Sequence, residues 1–106
     1  MLIQIIIIIL AKHHNYRGPE AREYASLWLN RVGLKNGSDV LGRYPHQLSG
    51  GQIQRVMIAI AMSLGPSVVL ADEITTGLDT KVKKEVLDLI FSLQRKHKFS
   101  ILFITH

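Results

Sequence analysis

Two neighbouring carboxylates and a histidine are the residues of this sequence best suited to chemistry. Asp72 and Glu73 follow the apolar run Val68–Ala71, and His106 follows the run Ser100–Thr105. A carboxylate directly after a buried strand can hold Mg²⁺, often through water, while its neighbour orients or deprotonates an attacking water. We assign the metal to Asp72 and the general-base role to Glu73. His106 can donate a hydrogen bond to a phosphate oxygen.

Simpler interpretations of these three residues stay open at this point. An Asp-Glu pair after a strand is also typical of a helix N-cap in a solvated turn. A histidine in such a position is also compatible with a plain strand end. The two interpretations differ in whether the surrounding elements bring the side chains together.

The sequence around Asp72, Glu73 and His106 predicts that their side chains lie close together. Each of the two apolar runs suits a strand buried on both faces. Between them lies an amphipathic helix with Thr80 as a candidate N-cap and basic residues near its end. Its apolar positions are Val82, Val86, Leu89, Ile90 and Leu93. Strand, helix and strand in this order form a parallel crossover, which brings the C-terminal ends of both strands to one edge of the sheet.

The sequence of the first half of the chain predicts two helices. Apolar residues that recur at helical spacing and end at Gly33 predict an amphipathic helix. The segment Leu34–Gln47 is rich in turn-forming residues and predicts an irregular connection. The helix-forming residues Ile53–Leu64 predict a second helix that starts at or near Gly50 and Gly51. The apolar positions of the first helix are Ala21, Ala25, Trp28, Leu29 and Val32.

The segment Met1–Ala11 is apolar apart from one glutamine and includes five consecutive isoleucines. A transmembrane helix needs roughly 20 apolar residues, and a secretory signal carries its basic residues before the apolar run. We therefore predict neither for this segment. A buried strand and a buried helix both stay open.

The composition limits the class of protein. The 106 residues are 47% hydrophobic and 20% charged, which is typical of one small folded domain or a piece of a larger one. The absence of cysteine excludes disulfides, and the histidines lack the spacing of a metal site. The net charge of +5 permits attraction to phosphate or an anionic membrane without identifying either. We expect no nucleic acid partner, because basic and aromatic residues do not alternate.

Four ordered motifs resemble those of the ATP-binding cassette (ABC) ATPases. They are LSGGQ at 48–52, VVLADE at 68–73, TGLD at 76–79 and ITH at 104–106, similar to the signature motif, Walker B strand, D-loop and switch histidine. The sequence RYPHQLSGGQ followed by QRVMIAIA is similar to importers of dipeptides, oligopeptides and nickel. The resemblance implies an α/β fold, namely part of a P-loop NTPase (RecA-like) parallel sheet with an attached helical signature subdomain. We expect the helical subdomain in residues 1–66 and the partial RecA-like unit in residues 67–106.

The resemblance also implies roles for individual residues. The signature residues would face the γ-phosphate of an ATP that a second cassette subunit holds; they are Ser49, Gly50, Gly51 and Gln52. The two glycines would let the backbone approach phosphate and adopt conformations that other residues avoid. Asp72 would serve Mg²⁺, Glu73 would be the general base, Asp79 would couple two sites of a dimer, and His106 would sense the γ-phosphate. Transmembrane permease subunits would be further partners, at the cytoplasmic face of the membrane.

The departures from the family are as informative as the matches. A phosphate-binding Walker A loop ends in Gly-Lys followed by Ser or Thr, and no glycine here precedes a lysine. Ile74 stands where the family usually has proline. The sequence therefore resembles a fragment of a cassette that is inactive alone. A DNA-repair or chromosome ATPase of the same superfamily, and a catalytically silent remnant, are the alternative hypotheses.

Overall fold

The computed structural model describes residues 19–35, 37–72, 74–75 and 77–104. In this part of the chain four α-helices and a 3-10 helix combine with two β-strands. In chain order they are α1 (Pro19–Arg31), α2 (Gly37–Leu41), the 3-10 helix (Pro45–Gln47), α3 (Gly50–Ser63), β1 (Val68–Asp72), α4 (Thr80–His97) and β2 (Ser100–Ile104). The isoleucine run lies outside the described residues.

Helix α1 confirms the first predicted helix, and its end explains where the chain turns. Gly33 has a φ of +88°, a conformation that glycine adopts without steric cost. Its N–H donates to the Asn30 carbonyl, and the Leu34 N–H donates to the Leu29 carbonyl. This pair of bonds is a Schellman motif, which satisfies carbonyls at the helix end. Leu34 is itself buried and continues the apolar face of the helix.

The predicted irregular connection over Leu34–Gln47 is wrong in two places, because α2 and the 3-10 helix both lie within it. The reason is burial: Leu41 is fully buried and Val40 is 5% exposed. Packing these two side chains into the core stabilises a short helix that turn-forming residues alone would not favour.

One hydrophobic cluster holds the helices together. It joins the inner faces of α1, α2 and α3 to the end of α4. Trp28 belongs to it and is 5% exposed, with the His97 ring 5.3 Å and the Arg31 guanidinium 4.7 Å from its ring. Trp28, which helical spacing places on the apolar face of α1, is therefore a core residue.

The two strands are parallel neighbours, as predicted, and α4 connects them. The register pairs Val68 with Ser100, Leu70 with Leu102 and Asp72 with Ile104. The prediction that both strands are buried on both faces is wrong, because Val68 is 65% exposed and Leu70 and Leu102 are each 58% exposed. In the part that the structure describes, helices cover one face of the sheet, and the face that carries these three side chains is open.

Candidate functional site

The signature-like segment forms the start of α3. Ser49 is the N-cap: its side-chain oxygen accepts a hydrogen bond from the Gln52 N–H at 3.2 Å. The Gln52 side chain in turn accepts from the Ser49 N–H at 3.0 Å. This reciprocal pair is a capping box. The predicted start of the helix at the two glycines is confirmed.

Gly50 and Gly51 lie against Leu78 and the first turn of α4. A Cβ on Gly51 would lie 2.8 Å from Val82 Cγ1, and a Cβ on Gly50 would lie 3.1 Å from Leu78 Cδ2. The prediction that these glycines adopt conformations other residues avoid is wrong: both lie in α3, and the positive φ values of the described glycines occur elsewhere. Neighbouring side chains of the same chain occupy the space that a Cβ would need.

The D-loop-like segment ends in the N-cap of α4. Thr80, the predicted cap, is instead the first helical residue, and Asp79 caps the helix by accepting from the Val82 N–H at 2.8 Å. Aspartate is the stronger cap because its carboxylate complements the positive end of the helix dipole. Before the cap, Gly77 has a φ of +81° in a turn that the Leu78 N–H closes onto the Thr75 carbonyl. Asp79 thus caps the helix whose Val82 lies against the signature glycine Gly51.

Replacing the Asp79 cap should measurably destabilise the chain. Asp79→Ala is expected to cost about 1 kcal/mol, because a capping side chain contributes that much to a helix. Asp79→Asn keeps an oxygen that can accept from Val82 and should cost less than about half as much. Thermal unfolding followed by circular dichroism measures both. Equal losses for alanine and asparagine would contradict the capping role.

Asp72 lies at the predicted edge of the sheet. It ends β1, is exposed, and pairs in register with Ile104 of β2. It also lines a groove of about 380 Å³ whose other lining residues on α3 and β1 are mainly apolar. The parallel pairing confirms the shared edge. Glu73 and His106 lie outside the described residues, and their proximity to Asp72 stays a prediction.

Arg55 positions the signature helix, a role that no motif in the sequence indicated. Its Nη1 donates to the Val32 carbonyl at 2.6 Å, and its Nη2 lies 3.9 Å from Glu85 Oε2. Arg55 therefore ties α3 both to the end of α1 and to α4. The signal in the sequence was that Arg55 is the sole charged residue of α3.

The described residues show neither a metal-binding cluster nor a membrane-spanning helix. They contain no group of three or more His, Cys, Asp or Glu side chains arranged to hold a metal ion. Over the same residues, no helix combines the length and the apolar character that crossing a membrane requires.

Comparison with known sequences gives one family. The model of the ABC transporter family matches residues 7–76. The chain is 46% identical over 98 residues to the oligopeptide transport ATP-binding protein AppD of Bacillus subtilis, covering 92% of this chain and 30% of AppD. It is 46% identical over 94 residues to the glutathione import ATP-binding protein GsiA of Escherichia coli, covering 89% of this chain and 15% of GsiA. The chain thus spans between 15% and 30% of the length of these relatives.

Comparison with solved structures gives the same fold. An inward-facing metal-chelate type ABC transporter superposes with a TM-score of 0.80 at 27% identity, covering 99% of this chain and 42% of that one. The ATP-binding cassette MJ0796, a dimer bound to ADP and Pi after hydrolysis, superposes with a TM-score of 0.73 at 31% identity, covering 100% of this chain and 46% of that one. These neighbours confirm the predicted α/β class as part of a P-loop NTPase fold.

Proposed function

The chain belongs to the ABC transporter family, and from this premise we propose that it supplies the signature-motif side of an ATP site shared with a second cassette subunit. The observation that carries the proposal is the first turn of α3. The capping box engages the Gln52 N–H, while the N–H groups of Gly50 and Gly51 have no acceptor within the helix. A helix start of this kind attracts an anion such as the γ-phosphate of ATP.

The donor set at this turn fits a phosphate group. Ser49 is exposed, and its hydroxyl can still donate its hydrogen while its oxygen accepts from Gln52. Gln52 acts on Ser49 by holding the backbone N–H of that residue, so its role in the site is to fix the serine. A Mg²⁺-bound ATP supplies the phosphoanhydride bond that is broken. The protein's part in this turn is to orient and neutralise phosphate oxygens.

The resemblance supports the remaining roles. Asp72, an exposed carboxylate at the end of a parallel strand, has the hard oxygen donor that Mg²⁺ prefers. Glu73 would accept a proton from the attacking water, and His106 would donate a hydrogen bond to the γ-phosphate. Asp79 would couple the two sites of the dimer. We also retain the division into a helical subdomain, residues 1–66, and a partial RecA-like unit, residues 67–106.

Peptides are the substrate class that the relatives' names support. AppD is named for oligopeptide transport and GsiA for glutathione import. We propose that the chain belongs to an import system of this kind, with permease subunits as partners and a peripheral position at the cytoplasmic face of the membrane. Nickel import and a DNA-repair or chromosome ATPase rest on resemblance alone. The alternative is a catalytically silent remnant, and experiment must distinguish it from a working part of an import system.

Association with an intact cassette tests the proposal. The 106-residue chain alone should not bind Mg-ATP with micromolar affinity, because it contains no Walker A loop. With B. subtilis AppD added, Mg-ATP should promote association of the two proteins. Ser49→Asp keeps a capping oxygen but adds a negative charge beside the phosphate, and should weaken this association by at least about tenfold. Analytical ultracentrifugation with and without Mg-ATP measures it.

A matched charge change provides the control. Ser67 is exposed and directly precedes β1, at the end of the strand opposite to Asp72. Ser67→Asp should therefore leave the Mg-ATP-dependent association unchanged. Equal weakening by both variants would indicate a general charge effect. Association that ignores Mg-ATP, or that Ser49→Asp leaves intact, would favour the silent remnant.

A further inference from the structure

The start of α3 packs against Val82 of α4 at Gly51 without room for a side chain. A Cβ on Gly51 would lie 2.8 Å from Val82 Cγ1, and real Cβ atoms essentially never approach a heavy atom that closely. A Cβ on Gly33 would come equally close to Nη1 of Arg55, which is the far end of a long side chain. A Cβ on Gly50 would lie 3.1 Å from Leu78 Cδ2, again the end of a flexible side chain.

The Val82 side chain, unlike those of Arg55 and Leu78, cannot easily move away from a Cβ at position 51. As a β-branched residue in a helix it has one strongly preferred χ1 rotamer. Its backbone is also held, since its N–H donates to Asp79 Oδ1 at 2.8 Å and the Lys83 N–H donates to the Asp79 carbonyl at 2.8 Å. The first turn of α4 is therefore a stiff surface against which the start of α3 packs.

We infer that Val82 is a positioning residue that sets where the first turn of α3 lies, and that position 51 is glycine because Val82 fills the space of a Cβ. Val82 lies outside the signature motif and outside the TGLD motif. The contact joins the two motifs within one chain: Asp79 holds Val82, Val82 abuts Gly51, and Gly51 lies two residues from Ser49. Its consequence for an ATP site rests on the proposed function, whereas the packing itself does not.

A double-mutant cycle tests the packing on the chain alone. Alanine is a better helix former than glycine, so without a clash Gly51→Ala should raise the Tm. With the clash, we expect Gly51→Ala to lower the Tm by about 4–8 °C. In a Val82→Ala background, which removes Cγ1, the same change should raise the Tm. The sign of the effect thus reverses between the two backgrounds.

A background that keeps the branched shape is the matched control. In Val82→Ile, atoms remain at both branch positions and the strong χ1 preference is kept, so Gly51→Ala should still lower the Tm. An equal loss from Gly51→Ala in the wild-type and Val82→Ala backgrounds would overturn the inference. If Gly51→Ala alone does not fold, Gly51→Ala/Val82→Ala is compared with Val82→Ala: a higher Tm supports the inference and a lower Tm overturns it.

The AppD assay shows whether the contact positions Ser49. Gly51→Ala should lose Mg-ATP-dependent association, and adding Val82→Ala should restore at least about a tenth of the wild-type affinity. Restored Tm without restored association would overturn the positioning role while leaving the packing in place. A wild-type chain that shows no dependence on Mg-ATP would instead refute the proposed function, and the Tm cycle would still decide the packing.

Discussion

Replacing Leu29 with alanine is expected to lower the free energy of unfolding by about 3 kcal/mol, because a buried leucine loses both its transfer free energy and its packing contacts. Leu29 is 1% exposed and sits in the central cluster. The loss corresponds to a Tm decrease of about 4–8 °C per kcal/mol for a domain of this size. Circular dichroism during thermal or urea unfolding measures it.

A second leucine of the same helix supplies the control. Leu27 is 43% exposed, so Leu27→Ala should cost less than about 1 kcal/mol although the chemistry of the substitution is identical. Both changes improve the helix propensity of α1 equally. Similar losses at the two positions would mean that the helix does not present the face described above.

Replacing Arg55 with alanine is expected to cost about 2 kcal/mol, because hydrogen bonds to charged groups contribute about 1.5–3 kcal/mol each. The bond from Nη1 to the Val32 carbonyl, at 2.6 Å, ties α3 to the end of α1. The side chain is 23% exposed, so water replaces this bond only in part. Urea unfolding should show the change as a lower midpoint with an unaltered slope.

The ion pair should contribute little of this loss. Nη2 of Arg55 lies 3.9 Å from Glu85, whose side chain is 47% exposed, and pairs of this kind are worth about 0–1 kcal/mol. Glu85→Gln should therefore cost less than about 0.5 kcal/mol. If Glu85→Gln costs as much as Arg55→Ala, the contact with α4 and not the bond to α1 carries the stabilisation.

Local sequence patterns and the order of the elements predicted the main helices and the strand pairing. Helix α1 follows from apolar spacing, α3 from a run of helix-forming residues, and the parallel pair of strands from two apolar runs that flank a helix. The shared edge that carries Asp72 follows from the same argument. Local patterns suffice here because each element presents one apolar face to the cluster.

The packing of individual side chains could not be predicted in this way. The turn-forming residues around α2 did not predict a helix, because the stability of α2 comes from the burial of Leu41. The reason for glycine at position 51 became visible only once Val82 was placed against it. An apolar run likewise does not reveal whether both faces of its strand are covered, as the exposure of Leu70 shows.

The position of Trp28 gives the chain an optical reporter of its own. It is the one tryptophan in the sequence, so all indole emission originates at a ring enclosed by α1 and the end of α4. A shift of that emission toward longer wavelengths would register the separation of these helices without any attached dye. Every variant described above can therefore be followed at micromolar concentration by its native fluorescence.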